Sequence, residues 1–380
     1  MRPVIVLLAL VLLATPVGGE PAPNPVNAFS AELSGQLHAG QDNLVLSPYS
    51  IECAMAALGL GTRGETADEL WKALHLNPDH LKDFAQTTSE MAARNNGPKA
   101  EWVVANALWT SLQEPPLPGY VEQVKQNFGA EVRALDFGQA EQARKTINSW
   151  VSQATREKII DLLPTGAIDG SVRLVITNAV YFKANWKSPF DPKLTQPRPF
   201  RSTQGPQEVP TMTQRATFEL ATGRDFQALI LPYAESEVVA VVVLPSEDDG
   251  LDPVVKSFEP SSLGNILRTG EPTDLRVWLP RFTLRSTTNL IPVFERLGVK
   301  RIFGGGDLSG LTGKPGLFVS LIIHQAFVEV NEAGTEAAAA TAVGVSRSMP
   351  TEFKVDHPFL FLLVDRPSGT ILFSGQVRKI

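Results

Sequence analysis

The sequence Val328-Glu-Val-Asn-Glu-Ala-Gly-Thr-Glu-Ala-Ala-Ala-Ala-Thr-Ala-Val-Gly-Val-Ser-Arg-Ser-Met-Pro350 begins with the pattern of a β-strand and then changes character. Gly334 interrupts the β-favouring residues and gives the backbone freedom to leave a sheet. From Thr335 to Val343, every residue except Glu336 is small or β-branched. Alternate residues of a strand share a face, so this segment could enter a packed sheet without a steric clash.

Two further features of the stretch bear on its function. No proline occurs in it before Pro350, so each backbone N–H could join a β-ladder. Arg347 is its single long cationic side chain, and a trypsin-like protease binds such a residue with a buried carboxylate in its specificity pocket. A short surface helix beginning at Thr335 is the alternative, because a run of four alanines favours helix. The stretch by itself leaves both structures open.

The segment Glu332 to Thr341 closely resembles the hinge of the serpins, a family of serine-protease inhibitors. The residues that match this hinge are Glu332, Gly334, Thr335, Glu336, Ala337, Ala338, Ala339, Ala340 and Thr341. Other segments resemble serpin motifs in serpin order, namely Leu46–Ser50, Thr177–Trp186, Leu279–Phe282, Phe318–Ser320 with His324, and Asp356–Phe361. The resemblance implies a serpin fold with three β-sheets, about nine helices and an exposed reactive-centre loop at about residues 333–350.

Composition agrees with a large folded unit. The chain has 380 residues, of which 43% are apolar, so it can bury a large core. Long strands, scattered helices and the absence of a βαβ repeat indicate an α+β fold. No proline-rich linker divides the interior, and we expect residues 20–380 to form a single serpin domain.

The first residues have the pattern of a secretory signal peptide. Met1-Arg2 is followed by an apolar run of about eleven residues, too short to span a bilayer, and then by small residues up to Gly19. We therefore expect residues 1–19 to be removed and the protein to be secreted, either outside the cell or into a periplasm. The single cysteine, Cys53, cannot form an internal disulfide, so stability must come from packing.

Several classes of function have little support in the sequence. The net charge is −6 with both signs interspersed, which argues against a nucleic-acid partner. The chain has only five histidines, no G-x-S-x-G motif and no zinc or calcium spacing, so we expect neither an enzyme nor a cofactor or metal site. Only Lys82, Arg94 and Lys99 lie between His80 and Lys99, so no heparin site is expected. We expect a monomer that does not bind membranes.

The resemblance also assigns structural roles to residues outside the loop. It implies that His324 and Asn178 form a hydrogen-bonded pair beneath the main sheet, near Ser47 and Ser50. It also implies a Glu332–Arg281 pair at the top of that sheet, close to Trp186. An exposed ion pair contributes only about 0–1 kcal/mol, so we expect this pair to act as a gate rather than as a main stabiliser.

The mechanism implied by the resemblance is suicide inhibition. A trypsin-like protease would cleave Arg347–Ser348, and Thr335 to Val343 would then insert as a new strand and trap the acyl-enzyme. The usual serpin spacing counted from Glu332 instead places Ser348 before the cut, whereas counting back from His357-Pro358-Phe359 gives Arg347. Cleavage at Ser348–Met349 by an elastase-like or chymotrypsin-like protease therefore remains the alternative. A non-inhibitory carrier or chaperone is a second alternative, although the small hinge residues favour inhibition.

Overall fold

The computed structural model describes residues 24–37, 40, 42–335 and 349–380. The expected signal peptide, the hinge residues from Glu336 to Thr341 and the expected reactive bond at Arg347–Ser348 lie outside the described residues. The other predicted site residues lie within them. In this part of the chain, no helix is both long enough and apolar enough to cross a membrane.

The helices begin where the sequence supplies caps and prolines. In the second helix, Pro48 occupies the first turn and the Ser47 side chain accepts a hydrogen bond from the backbone N–H of Ser50. The described residues contain ten α-helices, the last being a single turn: α1 Pro25–Gln36, α2 Pro48–Gly59, α3 Gly64–Ala73, α4 Leu81–Asn95, α5 Pro118–Phe128, α6 Ala140–Ala154, α7 Leu251–Ser257, α8 Pro260–Thr269, α9 Ile291–Arg296 and α10 Ser309–Thr312.

The strands account for most of the apolar runs in the sequence. Those in the described residues are β1 Leu44–Leu46, β2 Ala100–Ser111, β3 Glu131–Leu135, β4 Leu174–Asn185, β5 Gln196–Ser202, β6 Gly205–Thr222, β7 Phe226–Pro232, β8 Val238–Pro245, β9 Glu271–Pro280, β10 Phe282–Asn289, β11 Val319–Val330, β12 Gly334–Thr335, β13 Thr351–Lys354, β14 Phe359–Asp365 and β15 Thr370–Val377.

These strands form three sheets. The main sheet has the order β10-β11-β4-β2-β3, and the short β12 also pairs with β4. The other nine of these strands form one continuous hydrogen-bonded network, which the long strand β6 divides into the other two sheets of the fold. One contains β5, β6, β9 and β13, and the other has the order β6-β7-β8-β14-β15-β1.

The central strands of the main sheet are buried on both faces, which explains why β4 is apolar almost throughout. On one face, Ile147 and Val151 of α6 pack in a cluster with Val175 and Ala179 of β4. On the other face, Ile176 of β4 packs in a cluster that includes apolar residues of α2. The sheet is therefore held between α6 and the helical core around α2.

The pairing of β4 with β11 divides the main sheet at its centre. These two strands run parallel, from the pair Leu174–Val319 to the pair Phe182–Val328. Their neighbours β2 and β10 pair with them in the antiparallel sense. We call the parallel β4–β11 pairing the seam. It is closed along its length, and it is where the candidate functional residues meet.

Candidate functional site: the seam of the main sheet

At the middle of the seam, His324 of β11 faces Asn178 of β4. The backbone N–H of Ser47 donates to His324 Nε2 at 3.1 Å, so the proton of the neutral imidazole must lie on Nδ1. Nδ1 in turn donates to Asn178 Oδ1. Complete burial lowers the pKa of His324 to about 3, so the ring is neutral at physiological pH.

Asn178 connects the seam to helix α2. Its side-chain amide donates to the Ser50 carbonyl at 2.8 Å and to the Ser50 hydroxyl at 2.6 Å. The Ser47 hydroxyl donates to the Leu372 carbonyl of β15 at 2.6 Å. The four residues assigned here by resemblance, Ser47, Ser50, Asn178 and His324, therefore form one buried hydrogen-bonded cluster.

Asn106 of β2 also belongs to this cluster, although sequence reasoning missed it. Its side-chain oxygen accepts a hydrogen bond from Asn178, and its amide donates to the Ser50 carbonyl at 3.3 Å. The available signal was an asparagine in the middle of a largely apolar strand, where a buried amide requires hydrogen-bonding partners. Including Asn106, the cluster spans β2, β4, β11 and α2.

The hinge begins next to the end of the seam that is marked by the pair Phe182–Val328. Gly334 and Thr335 form β12 and pair in the antiparallel sense with Asn185 and Ala184 of β4. The backbone N–H of Trp186 donates to the Ala333 carbonyl at 2.8 Å. The hinge residue Gly334 and Thr335, the first residue of the predicted inserting segment, therefore already pair with the strand that the segment would join.

Gly334 is required at this position for two reasons. Its φ is +146°, a backbone conformation that other residues rarely adopt. A Cβ atom there would lie 2.1 Å from the Ala184 carbonyl oxygen, far inside contact distance. Both the backbone conformation and the close approach of β4 therefore exclude a side chain.

Glu332 is buried, which corrects the sequence expectation of an exposed ion pair. Only 6% of the residue is accessible, whereas 44% of the Arg281 side chain is. Arg281 Nε donates to Glu332 Oε1 at 2.6 Å, and the Thr195 hydroxyl donates to the same oxygen. Burial alone would raise the pKa of Glu332, but these hydrogen bonds outweigh it and hold the pKa below its ordinary value.

Trp186 contacts the hinge from the side. Its indole Nε1 donates to the Asn331 carbonyl at 3.0 Å. Its ring stacks on Tyr233, with 4.4 Å between the ring centroids. Sequence reasoning identified neither Thr195 nor Tyr233, because nothing in their local sequence relates them to the hinge.

The other end of the predicted loop belongs to a different sheet. Met349 is 96% exposed, and β13 follows it at once. β13 pairs in parallel with β9, whereas β12 pairs with β4 of the main sheet. The predicted loop therefore joins two sheets. No group of metal-binding side chains occurs among the residues that the structure describes.

Comparison with known proteins identifies the family. The model of the family described as Serpin (serine protease inhibitor) matches residues 24–380. The chain belongs to the serpin family. The serpin fold predicted from the sequence is thus confirmed. Serpins are mostly protease inhibitors rather than enzymes, although some of them do not inhibit.

Individual relatives show how far the similarity extends. This serpin is 38% identical to the leukocyte elastase inhibitor of Homo sapiens, over 88% of this chain and 92% of that protein. Uncleaved ovalbumin has a similar structure, with a TM-score of 0.87 and 27% identity over 94% of this chain and 99% of ovalbumin. Human thyroxine-binding globulin in complex with thyroxine gives a TM-score of 0.86 and 25% identity, over 93% and 97% of the two chains.

Proposed function

We propose that this serpin inhibits a serine protease as a suicide substrate, forming a covalent 1:1 complex. The observation that carries the proposal is the antiparallel pairing of Gly334 and Thr335 with β4, just beyond the end of the seam. A strand inserted between the parallel strands β4 and β11 could be antiparallel to both. β12 already has this direction, so the hinge is positioned to continue into the seam once the loop is cut.

The register of β12 predicts where an inserted loop would lie. Each further step along the loop moves one residue back along β4 from the pair Thr335–Ala184. Glu336 would then face Lys183, and Thr341 would face Asn178. Insertion therefore requires the His324–Asn178 hydrogen bond to break, and the small residues from Ala337 to Thr341 suit the crowded interior of the sheet.

Insertion of the loop would release free energy through new hydrogen bonds. About ten inserted residues would add on the order of ten ladder hydrogen bonds at roughly 0.5–1.5 kcal/mol each. This sum is comparable with the usual net stability of a domain, about 5–15 kcal/mol. The uncleaved protein would therefore be metastable, with the seam cluster holding it closed.

The proposed target is a trypsin-like protease that cleaves Arg347–Ser348. Arginine is the residue that the trypsin specificity pocket recognises, whereas serine offers little to any deep pocket. The alternative is cleavage at Ser348–Met349 by an elastase-like or chymotrypsin-like protease. The name of the leukocyte elastase inhibitor, to which this chain is similar, supports that alternative.

The deciding experiment incubates the mature protein with trypsin, and separately with elastase and chymotrypsin, before denaturing electrophoresis. The proposal expects a protease-sized shift that survives denaturant with trypsin, and a released fragment that begins at Ser348. Arg347→Ala should abolish the trypsin complex, whereas Arg347→Lys, the matched control, should retain it. A fragment beginning at Met349 and a complex with elastase would support the alternative bond.

A non-inhibitory carrier or chaperone would give a different result. The likeness to thyroxine-binding globulin supports this alternative, because that protein was solved in complex with a small ligand, thyroxine. Such a protein would be cleaved by trypsin without forming a covalent complex. The same gel therefore separates the two functions.

Export, domain organisation and assembly complete the proposal. We propose that residues 1–19 are removed during secretion, that residues 20–380 form one domain and that the protein acts as a monomer without a cofactor. Heparin should not accelerate inhibition, because the segment from His80 to Lys99 has few cations. Mass spectrometry of the exported protein would test the cleavage site, and a large rate increase with heparin would contradict the last expectation.

A further inference from the structure

Glu52 is an anomaly within helix α2. Its accessible fraction is 0%, and neither oxygen of its carboxyl group has a hydrogen-bonding partner among the residues that the structure describes. Buried polar groups in proteins are nearly always hydrogen-bonded, and an unpaired one costs free energy. Nothing in the proposed inhibitory mechanism uses this side chain.

Within the described part of the chain, no neighbouring element supplies a counter-charge to Glu52. Its pKa is raised well above the ordinary value near 4.5, and burial is the cause. Tyr49 and Cys53, on the same helix, are the titratable groups whose pKa values respond to its charge. Helix α2 packs against α1, α3, α5, β2, β4 and β15. The charged residues of these elements are half-buried or exposed, and none alters the pKa of Glu52: Glu32, Glu65, Asp68, Glu69, Lys72, Glu101, Glu122, Lys125 and Lys183.

Glu52 shares a helix with the contacts to the seam, although residues two apart on an α-helix do not lie on the same face. It follows Ser50 by two residues on the helix whose first turn supplies the contacts to His324 and Asn178. The same turn is anchored to β15 through Ser47 and the Leu372 carbonyl. A movement of α2 that let water reach Glu52 would therefore also strain the hydrogen bonds that hold the seam closed.

We propose that Glu52 makes opening of the seam proton-dependent: the buried neutral acid permits the closed sheet, and loss of its proton to water favours the open one. The proposal concerns the seam itself, and rests on the proposed function only where it extends to inhibition. Helix α2 would then regulate strand insertion, because the pH would determine how readily the sheet opens to accept a strand.

The sign of the effect follows from proton linkage. The closed state holds a proton that an open, hydrated Glu52 would release above about pH 4.5. Raising the pH therefore favours opening, by up to about tenfold per pH unit until the pKa of the closed state is reached. His324 titrates in the opposite sense below pH 6.5, and the thiol of Cys53, whose pKa burial raises to about 12, stays neutral. A window from about pH 6.5 to 8.5 therefore avoids the titration of His324 and of Cys53, and the Glu52 variants separate Glu52 from the other groups.

The test compares wild type with Glu52→Gln and Glu52→Met, using Glu122→Gln on the exposed face of α5 as the control. The rate of seam opening is followed between about pH 6.5 and 8.5 as heat-induced polymer formation on native gels and as binding of a synthetic peptide with the sequence Thr335 to Val343. Neither measurement requires a protease.

The proposal expects the opening rate of wild type and of Glu122→Gln to rise across this window, by up to about tenfold per pH unit below the pKa of the buried acid. Both Glu52 variants should change less than about twofold. Parallel pH profiles for wild type and Glu52→Gln, or a wild-type rate that does not rise with pH, would overturn it. If one of the two Glu52 variants fails to fold, the other decides the matter. Failure to form a trypsin complex would instead contradict the inhibitory function while leaving this proposal standing.

Discussion

The imidazole of His324 and the side-chain amide of Asn178 are hydrogen-bonded directly across the parallel pairing of β11 with β4. No residue of a described strand lies between them, so the sheet is closed where an inserted loop would have to enter. Both residues also contact the first turn of α2, through Ser47 and Ser50. One buried cluster therefore couples the state of the sheet to the position of a helix.

We expect acid to weaken the closed fold through His324. Its pKa is lowered to about 3 in the folded protein, so the unfolded chain binds a proton that the folded chain excludes. The stability that depends on a neutral His324 is fully present above pH 6.5 and is lost as the pH falls from 6.5 towards 3. Over this range the free energy of unfolding falls by about 1.4 kcal/mol per pH unit. Urea unfolding between about pH 7 and 5 should show a shallower loss in His324→Gln than in wild type. His80→Gln, which alters a side chain that is 70% exposed in the turn before α4, should follow wild type. Equal slopes for all three proteins would refute the assignment.

Removing Asn106 should loosen the seam. In Asn106→Ala, Asn178 loses an acceptor and the Ser50 carbonyl loses a donor, both in a buried site. We expect the free energy of unfolding to fall by about 1–3 kcal/mol and polymers to form faster on mild heating. Asn127→Ala removes a comparable but exposed hydrogen bond on α5 and should change neither quantity measurably. If the two variants behaved alike, Asn106 would have no special part in the cluster.

Gly334→Ala should displace the start of the hinge from β4. The added Cβ would meet the Ala184 carbonyl at 2.1 Å, in addition to the strain of a positive φ. We expect stability to fall by about 1–3 kcal/mol and the yield of covalent protease complex to drop in favour of simple cleavage. Gly298→Ala is the matched control, because its φ is +91° but no described atom lies within 4 Å of the new Cβ. A normal complex yield from Gly334→Ala would show that β12 is not needed for insertion.

Breaking the Arg281–Glu332 pair should affect hinge and fold together. Arg281→Ala leaves the buried Glu332 carboxylate with the Thr195 hydroxyl but without its cation. Because Arg281 is half exposed and solvent screens the pair, we expect a modest destabilisation of about 1–2 kcal/mol with faster polymer formation. Arg133→Ala, which breaks the exposed pair with Glu131, should cost less than about 0.5 kcal/mol. Unchanged inhibition and polymer formation in both Arg281→Ala and Glu332→Lys would argue against a gate at this position.

Patterns in the amino-acid order were enough to predict the family and the general course of the chain. The hinge from Glu332 to Thr341 and the ordered motifs around it indicated a serpin fold, because they combine special backbone needs, such as Gly334, with a run of small residues. Local patterns also predicted individual elements well. The β-favouring residues Val328 and Val330, for example, lie at the end of β11, and the chain leaves that strand before Gly334.

Only the tertiary structure showed which residues that are far apart in the sequence lie in contact. Asn106 and Asn178 are 72 residues apart in the chain, and Thr195 and Glu332 are 137 apart. Their contacts depend on the register between strands and on which strand neighbours which, quantities that no local pattern contains. The burial of Glu332, the proton position on His324 and the complete burial of Glu52 also depend on tertiary structure. Each depends on the atoms that surround a side chain in the folded protein, and the chain brings those atoms together only when its sheets close.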